Sequence, residues 1–358
     1  MALFVDIEKQ LGSFHLKTAF TLEEEFAGLL GASGSGKSMT LRCIAGIEKP
    51  DRGRIVLNGR VLFDSEDGIS LPPQQRHVGC LFQNYALFPN MTVLENILCG
   101  LFREKDRTKK RDEAERMMAL LQLESVRDQY PHQLSGGQAQ RAALGRILVN
   151  RPEFLMLDEP FSALDAHLRL RLQMDLRSLL ADYGKGVLMV THDRDEAYCL
   201  CERIGVMSHG SLLVMKETHE LFADPLIREA AVLTGCKNIA AARKTGEREV
   251  FVPDWNIHLC TSRPVKDHLS AIGIRAHAFH PDTAENRFPV TFVGRMEEPF
   301  EWVDEFRFEQ QRKETLPVWR RSAKGSTPRT LPSSLGVSPQ DILLLYDFDI
   351  TKETETEG

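Results

Sequence analysis

The segment GASGSGKS, Gly31 to Ser38, follows directly on the apolar run Phe26 to Leu30 and precedes SMTLRCIAGI, a helical pattern closed by Gly46. A buried strand, a glycine-rich turn and a helix in that order admit few folds, chiefly α/β domains with a parallel sheet. The spacing G-x-x-x-x-G-K-S predicts a phosphate-binding loop formed by Gly31, Ala32, Ser33, Gly34, Ser35, Gly36, Lys37 and Ser38. Its glycines let successive backbone N–H groups converge on one anion, and the helix that follows adds its positive end. Lys37 is expected to reach the β- and γ-phosphates, and the Ser38 hydroxyl to ligate Mg²⁺. A chance glycine turn is the competing reading, and the strand before and helix after argue against it. The expected ligand is a nucleoside triphosphate.

The rest of the chain extends this pattern. Residues 1–30 alternate apolar and polar side chains in short runs, which predicts antiparallel strands. GRIVLNGRVLF reads as a hairpin turning at Asn58-Gly59. HVGCLFQ is a further short buried strand, and from about Asn84 to Asn150 helical periodicity takes over. EFLMLDEP and GVLMVTHD are short, continuously apolar runs, as expected of parallel strands covered on both faces. Between them AHLRLRLQMDLRSLLADYG reads as an amphipathic helix closed by Gly184. After Thr234 short strand patterns separated by Pro, Gly and charged turns replace the helices. The expected domains are 1–234, with a helical part at about 84–150, and a small β-rich unit at 235–358 ending in the solvated tail KETETEG.

A phosphate loop alone does not separate kinases, GTPases and motors. LSGGQ, Leu134 to Gln138, does: it opens the helix QAQRAALGRILV with Ser135 as N-cap and Gln138 three residues on, a capping box. Two glycines, Gly136 and Gly137, in a first helical turn cost roughly 1 kcal/mol each relative to alanine. That cost is unexplained unless bare N–H groups must approach something closely. FLMLDEPFSALD follows twenty residues later. With these motifs the chain resembles the ABC ATPase family throughout residues 1–234.

The resemblance implies a P-loop ABC ATPase core with antiparallel β and helical subdomains, followed by a small all-β domain of OB or MOP type. It implies ATP and Mg²⁺ as cofactors and assigns roles residue by residue. Asp158 would hold Mg²⁺ through water and Glu159 would polarise the attacking water. Asp165 would signal across a dimer, Gln83 would sense Mg²⁺ and the permease, and His192 would contact the γ-phosphate. Phe14 is the candidate for stacking on adenine, where the family usually has tyrosine; a strand phenylalanine of the core is the alternative reading. In the family the LSGGQ of one subunit closes over the nucleotide of the other, so Ser135, Gly136, Gly137 and Gln138 would complete a partner's site in a homodimer.

Composition narrows the class. The 358 residues carry a formal net charge of −6, with 42% hydrophobic and 27% charged residues. Bulk charge therefore gives no reason to expect a nucleic-acid partner; it does not support a local basic patch but leaves room for one. No run reaches the roughly 18–20 apolar residues of a membrane span, and the start carries Asp6 and Glu8, unlike a signal peptide. Seven scattered cysteines read as inert thiols in a reducing compartment. Transport work would need a separate permease on the cytoplasmic face of the membrane, with an extracellular binding protein as an indirect partner. The apolar loop Tyr85, Leu87, Phe88, Pro89 is the expected permease dock, a satellite of the core being the alternative. The chain resembles importer ATPases of the molybdate, sulfate, sugar and polyamine types. LGSFHLKTAF, AGIEKPDRGRIVLNG and the TGCKNI join lean toward molybdate or tungstate, with sulfate, sugar, polyamine or iron as alternatives. Against molybdate, a clear SARN-type oxyanion motif is lacking.

Overall fold

The computed structural model describes residues 2–82, 85–162, 166–181, 183–325 and 331–347, without the side chains of 166–168, 179 and 181. The chain divides into two compact units, residues 1–218 and 219–358.

In the first unit β1 (Leu3–Leu11) and β2 (Phe14–Leu22) form an antiparallel hairpin, and β3 (Phe26–Leu30) runs fully buried into the phosphate loop. The loop opens α1 (Lys37–Ala45), which ends at Gly46 in the left-handed region that a glycine adopts without strain. β4 (Arg52–Leu57) and β5 (Arg60–Asp64) turn at Asn58 and Gly59, both with positive φ, as a two-residue I′-type turn requires. The short β6 (Ile69–Ser70) and α2 (Pro73–Arg76) lead to β7 (Val78–Leu81).

Three helices follow: α3 (Val93–Gly100), α4 (Arg107–Leu120) and α5 (Gly136–Leu148). The chain then returns as β8 (Phe154–Asp158), α6 (Ala166–Ala181), β9 (Val187–Thr191), α7 (Arg194–Leu200), β10 (Arg203–Ser208) and β11 (Ser211–Glu217). One sheet has the order β6-β5-β4-β1-β2-β11-β10-β3-β9-β8-β7. Its β10-β3-β9-β8-β7 half is parallel, and every residue of β3, β8 and β9 is buried. That explains their unbroken apolar runs, because helices cover both faces of such strands. The β10–β11 hairpin, unread in the sequence, joins the parallel half to the antiparallel one through β2.

The second unit begins with α8 (Thr218–Ala223) and α9 (Arg228–Leu233). Its strands are β12 (Asn238–Ala241), β13 (Arg243–Gly246), β14 (Glu249–Val252), β15 (Ile257–Cys260), β16 (Leu269–Ile274), β17 (Phe288–Glu297), β18 (Glu301–Phe308), β19 (Val318–Ala323), β20 (Ser334–Leu335) and β21 (Ile342–Tyr346). They form sheets ordered β12-β16-β21, β13-β14-β15 and β19-β18-β17-β20. The division thus falls at 218, ahead of the expected 234. The cause lies in two guanidinium groups: Arg275 donates to the carbonyls of Phe222 and Thr234, and Arg263 forks onto Asp224. Ala231 also packs with Cys236, Ala271, Leu343 and Leu345. The tail from residue 348 lies outside the described residues.

Candidate functional site

The phosphate loop is held open by its own lysine. Lys37 is almost fully buried, and its Nζ donates to the carbonyls of Gly31 at 2.8 Å and Ala32 at 3.0 Å. Gly34 and Gly36 adopt positive φ, which directs backbone N–H groups toward a common point. A Cβ on Gly36 would meet Leu16 at 2.9 Å and Phe14 at 3.2 Å, so only glycine fits between loop and strand. The β10–β11 turn braces the loop from the other side, Gly210 N donating to Ser35 O at 3.0 Å. Ser35 Oγ is buried without a partner among the described residues.

Two carboxylates close the site. β8 carries Asp158 to the sheet end, where Ser38 Oγ donates to its Oδ1 at 2.7 Å. Burial pushes the Asp158 carboxyl above its ordinary value, opposed by the Ser38 bond. Burial likewise lowers the Lys37 ammonium, opposed by Glu159 and Asp158. A buried carboxylate and a hydroxyl converging within one hydrogen bond are hard oxygen donors of the kind Mg²⁺ takes, so these residues fit that ion.

Glu159 stands one residue beyond the strand with φ 46°, a left-handed conformation that a glutamate rarely adopts. Its N–H donates to Val190 O at 3.0 Å, and Ser162 N and Oγ both donate back to its carbonyl. The strained turn is therefore over-determined by its neighbours, as strained functional residues are. Its Oε1 lies 3.3 Å from His192 Nδ1 at the end of β9.

The His192 segment has a support that sequence reasoning missed. Thr191 Oγ1 donates to the buried Glu196 at 2.7 Å, and Asp193 accepts from the N–H groups of Asp195 and Glu196 to cap α7. Arg169 Nη1 reaches Asp193 at 3.2 Å. The signal was the D-x-x-E spacing after the strand, a capping pattern.

A cavity of about 370 Å³ is lined by Phe14, Ser33, Gly34, Lys37, Ser38 and Glu159 among others; Asp158 and His192 do not line it. Leu11, Met39 and Arg42 line it too and were not foreseen; Arg42 falls one helical turn beyond Ser38. Ser135, Gly136, Gly137 and Gln138 do not line it. They open α5 instead, with Ser135 Oγ accepting from Gln138 N and Gln138 Oε1 accepting from Ser135 N at 2.9 Å. Ser135 and Gly136 are exposed. Gln83 and Asp165 lie outside the described residues.

The loop after Gln83 is pinned rather than loose. Asn96, fully buried on α3, accepts from Phe88 N and donates to the carbonyls of Phe88, Met91 and Thr92. Arg146 donates to the carbonyls of Ala86 and Tyr85, and its guanidinium lies 5.0 Å from the Phe88 ring centre. Phe88 is 45% exposed and lines a groove of about 650 Å³ with Met91, Cys99, Phe102, Arg146 and Pro152. Tyr85, Leu87 and Pro89, expected alongside Phe88, do not line it among the described residues.

No helix of the described residues is long and apolar enough to cross a membrane. All seven cysteines are free thiols, and burial pushes Cys43 and Cys80 up to about 12.

Residues 18–162 match the family model described as ABC transporter. A probable sulfate/thiosulfate import ATP-binding protein of Chlorella vulgaris is 44% identical over 62% of this chain and 94% of its own length. A spermidine/putrescine import ATP-binding protein of Bacillus cereus is 36% identical over 87% of this chain and 91% of its own. Among solved structures, a dimeric ATP-binding cassette in a post-hydrolysis state bound to ADP and Pi superposes with TM-score 0.52. It is 29% identical and covers 61% of this chain and 99% of that one. The cbiO1 protein of Clostridium perfringens, part of an ABC transporter complex, superposes with TM-score 0.55 at 26% identity, over 64% of this chain and 94% of its own.

Proposed function

The chain belongs to the ABC transporter family as an ATP-binding import subunit whose ATP hydrolysis is coupled to transport, and we propose that it works as a homodimer in which each copy completes the other's site. The observation that carries this reading is the separation of two half-sites on one chain. Lys37, Ser38 and Glu159 line one cavity, with Asp158 behind it on the Ser38 hydroxyl, while Ser135 and Gly136 present a helix start elsewhere on the surface. Ser135 and the N–H groups of Gly136 and Gly137 would take up the γ-phosphate of the partner's nucleotide. The relative solved as a dimer with ADP and Pi supports this arrangement.

Within one site the roles are those that the family resemblance implies, and the geometry is compatible with them. The loop N–H groups and Lys37 bind the phosphates, and Phe14 offers a ring on which adenine stacks; stacking needs only a π-face. Ser38 and Asp158, with Gln83 in the family role, would hold Mg²⁺, which when bound would supply positive charge to the phosphoryl oxygens. Glu159 accepts a proton from the attacking water, and His192, 3.3 Å from Glu159, fixes its carboxylate. Positioning and charge stabilisation do the rest. Asp165 takes the signalling role across the dimer.

The partner is a separate permease at the cytoplasmic face of a membrane, and Phe88 marks its dock. An exposed aromatic ring over a preformed apolar groove suits an inserted segment of another protein. Phe88→Asp should leave the basal ATPase rate of the purified subunit within about twofold while abolishing transport in the assembled complex. Loss of folding or of ATP binding in the free variant would make Phe88 a core residue and remove the docking assignment.

Cargo is chosen by the permease, not by this chain. The relatives reported above carry the names of sulfate/thiosulfate and polyamine importers, which were the alternatives to molybdate. We therefore assign a small hydrophilic solute from that group, with molybdate resting on the N-terminal and TGCKNI segments alone.

A further inference from the structure

We propose that residues 102–111, FREKDRTKKR, form a contact patch for an anionic phospholipid surface. The segment joins α3 to the first turn of α4 and is exposed almost throughout. It holds six cations against two carboxylates, in a chain whose formal net charge is −6.

Both carboxylates, though exposed, are engaged by backbone N–H groups. Asp106 accepts from the N–H groups of Thr108 and Lys109 as the α4 cap, and Glu104 accepts from Asp106 N at 2.8 Å. Among the described residues Lys105, Arg107, Lys109 and Lys110 form no ion pair, and the first three are exposed, so the segment keeps an excess of cations at the surface. Helix stability does not account for them: cations in a first turn oppose the helix dipole, each by about 0.3–1 kcal/mol. Phe102, 61% exposed beneath the Arg103 guanidinium, adds an apolar ring beside the cations. Basic residues beside an exposed aromatic ring are the chemistry of an anionic lipid interface. Phe102 also borders the Phe88 groove, so a permease seated there would bring the patch toward the bilayer. The inference takes from the importer reading only the nearness of a membrane.

The full-length chain, without permease, should be sedimented at low salt with vesicles of phosphatidylcholine alone or with about a third phosphatidylglycerol. Partition onto the anionic vesicles should be about tenfold or more higher, and about 0.5 M salt should remove the difference. The variant Lys105→Glu, Arg107→Glu, Lys109→Glu, Lys110→Glu should lose the preference while keeping its ATPase rate. Acids in that first turn favour the helix dipole, so the loss cannot be laid to unfolding of α4. Equal partition of the wild type onto both vesicles overturns the proposal. So does a variant that keeps the lipid preference yet fails to assemble with permease in detergent, since the patch would then read protein. Either failure leaves the ATPase and docking assignments standing, because each has its own readout.

Discussion

Arg76 illustrates how one side chain can set up a site it never touches. Its guanidinium is almost completely buried and donates to Leu71 O, Cys43 O and Ile44 O, the last two being end carbonyls of α1. Cys43 O otherwise has only the Gly46 cap N–H, at 3.2 Å, and a cation there also suits the negative end of the dipole. A Cβ on Gly46 would collide with the guanidinium, so the glycine cap and Arg76 are one device. Burial lowers the Arg76 pKa, yet its carbonyl partners keep it a donor. Arg76→Met keeps the volume but leaves Ile44 O and Leu71 O without this donor, at about 1–3 kcal/mol for each group left unpaired, while Cys43 O keeps the Gly46 N–H. Urea unfolding should show a loss of about 2 kcal/mol or more. A loss below about 0.5 kcal/mol would mean that water or backbone replaces the guanidinium freely. The residue itself reads as an ordinary surface arginine, since nothing nearby in sequence shows what it caps.

Elements were legible where their signal is local. The β4–β5 turn at Asn58-Gly59, the capping box at Ser135 and the unbroken apolar runs of β8 and β9 each state their structure within a few residues. The β10–β11 hairpin was not read, although His209-Gly210 adopts positive φ like Asn58-Gly59. Its strands lie inside the sheet, so the alternation that marks a half-exposed hairpin is missing. The loop around Phe88 was legible as apolar but not as pinned, because Asn96 acts from α3. Asn96→Ala would free the backbone of Phe88, Met91 and Thr92 at once. ATP binding should stay unchanged, while limited proteolysis within 85–92 should quicken several-fold and transport should fall in the assembled complex. Unchanged cleavage in this loop would contradict the pinning role.

At the scale of the whole molecule, the motifs gave the ATPase unit and its cavity, because phosphate chemistry demands glycine, lysine and carboxylate at fixed spacing. The second unit was legible as β-rich but not in its starting point, since α8 and α9 owe their allegiance to Arg263 and Arg275, far along the chain. What no single copy can display is the closed site, where Ser135 would meet a partner's nucleotide. That is the central claim, and Glu159→Gln tests it most directly. The substitution keeps the side chain's shape and removes the base, at a typical cost of about 10²–10⁴ in rate. Lys37, Ser38 and Asp158 remain, so ATP should still bind and its γ-phosphate should persist between two copies. Size-exclusion chromatography of Glu159→Gln with ATP and Mg²⁺ should show a stable dimer holding two nucleotides, dissolved by adding Ser135→Arg. A variant that hydrolyses ATP at the wild-type rate, or whose association does not respond to ATP, would contradict the account.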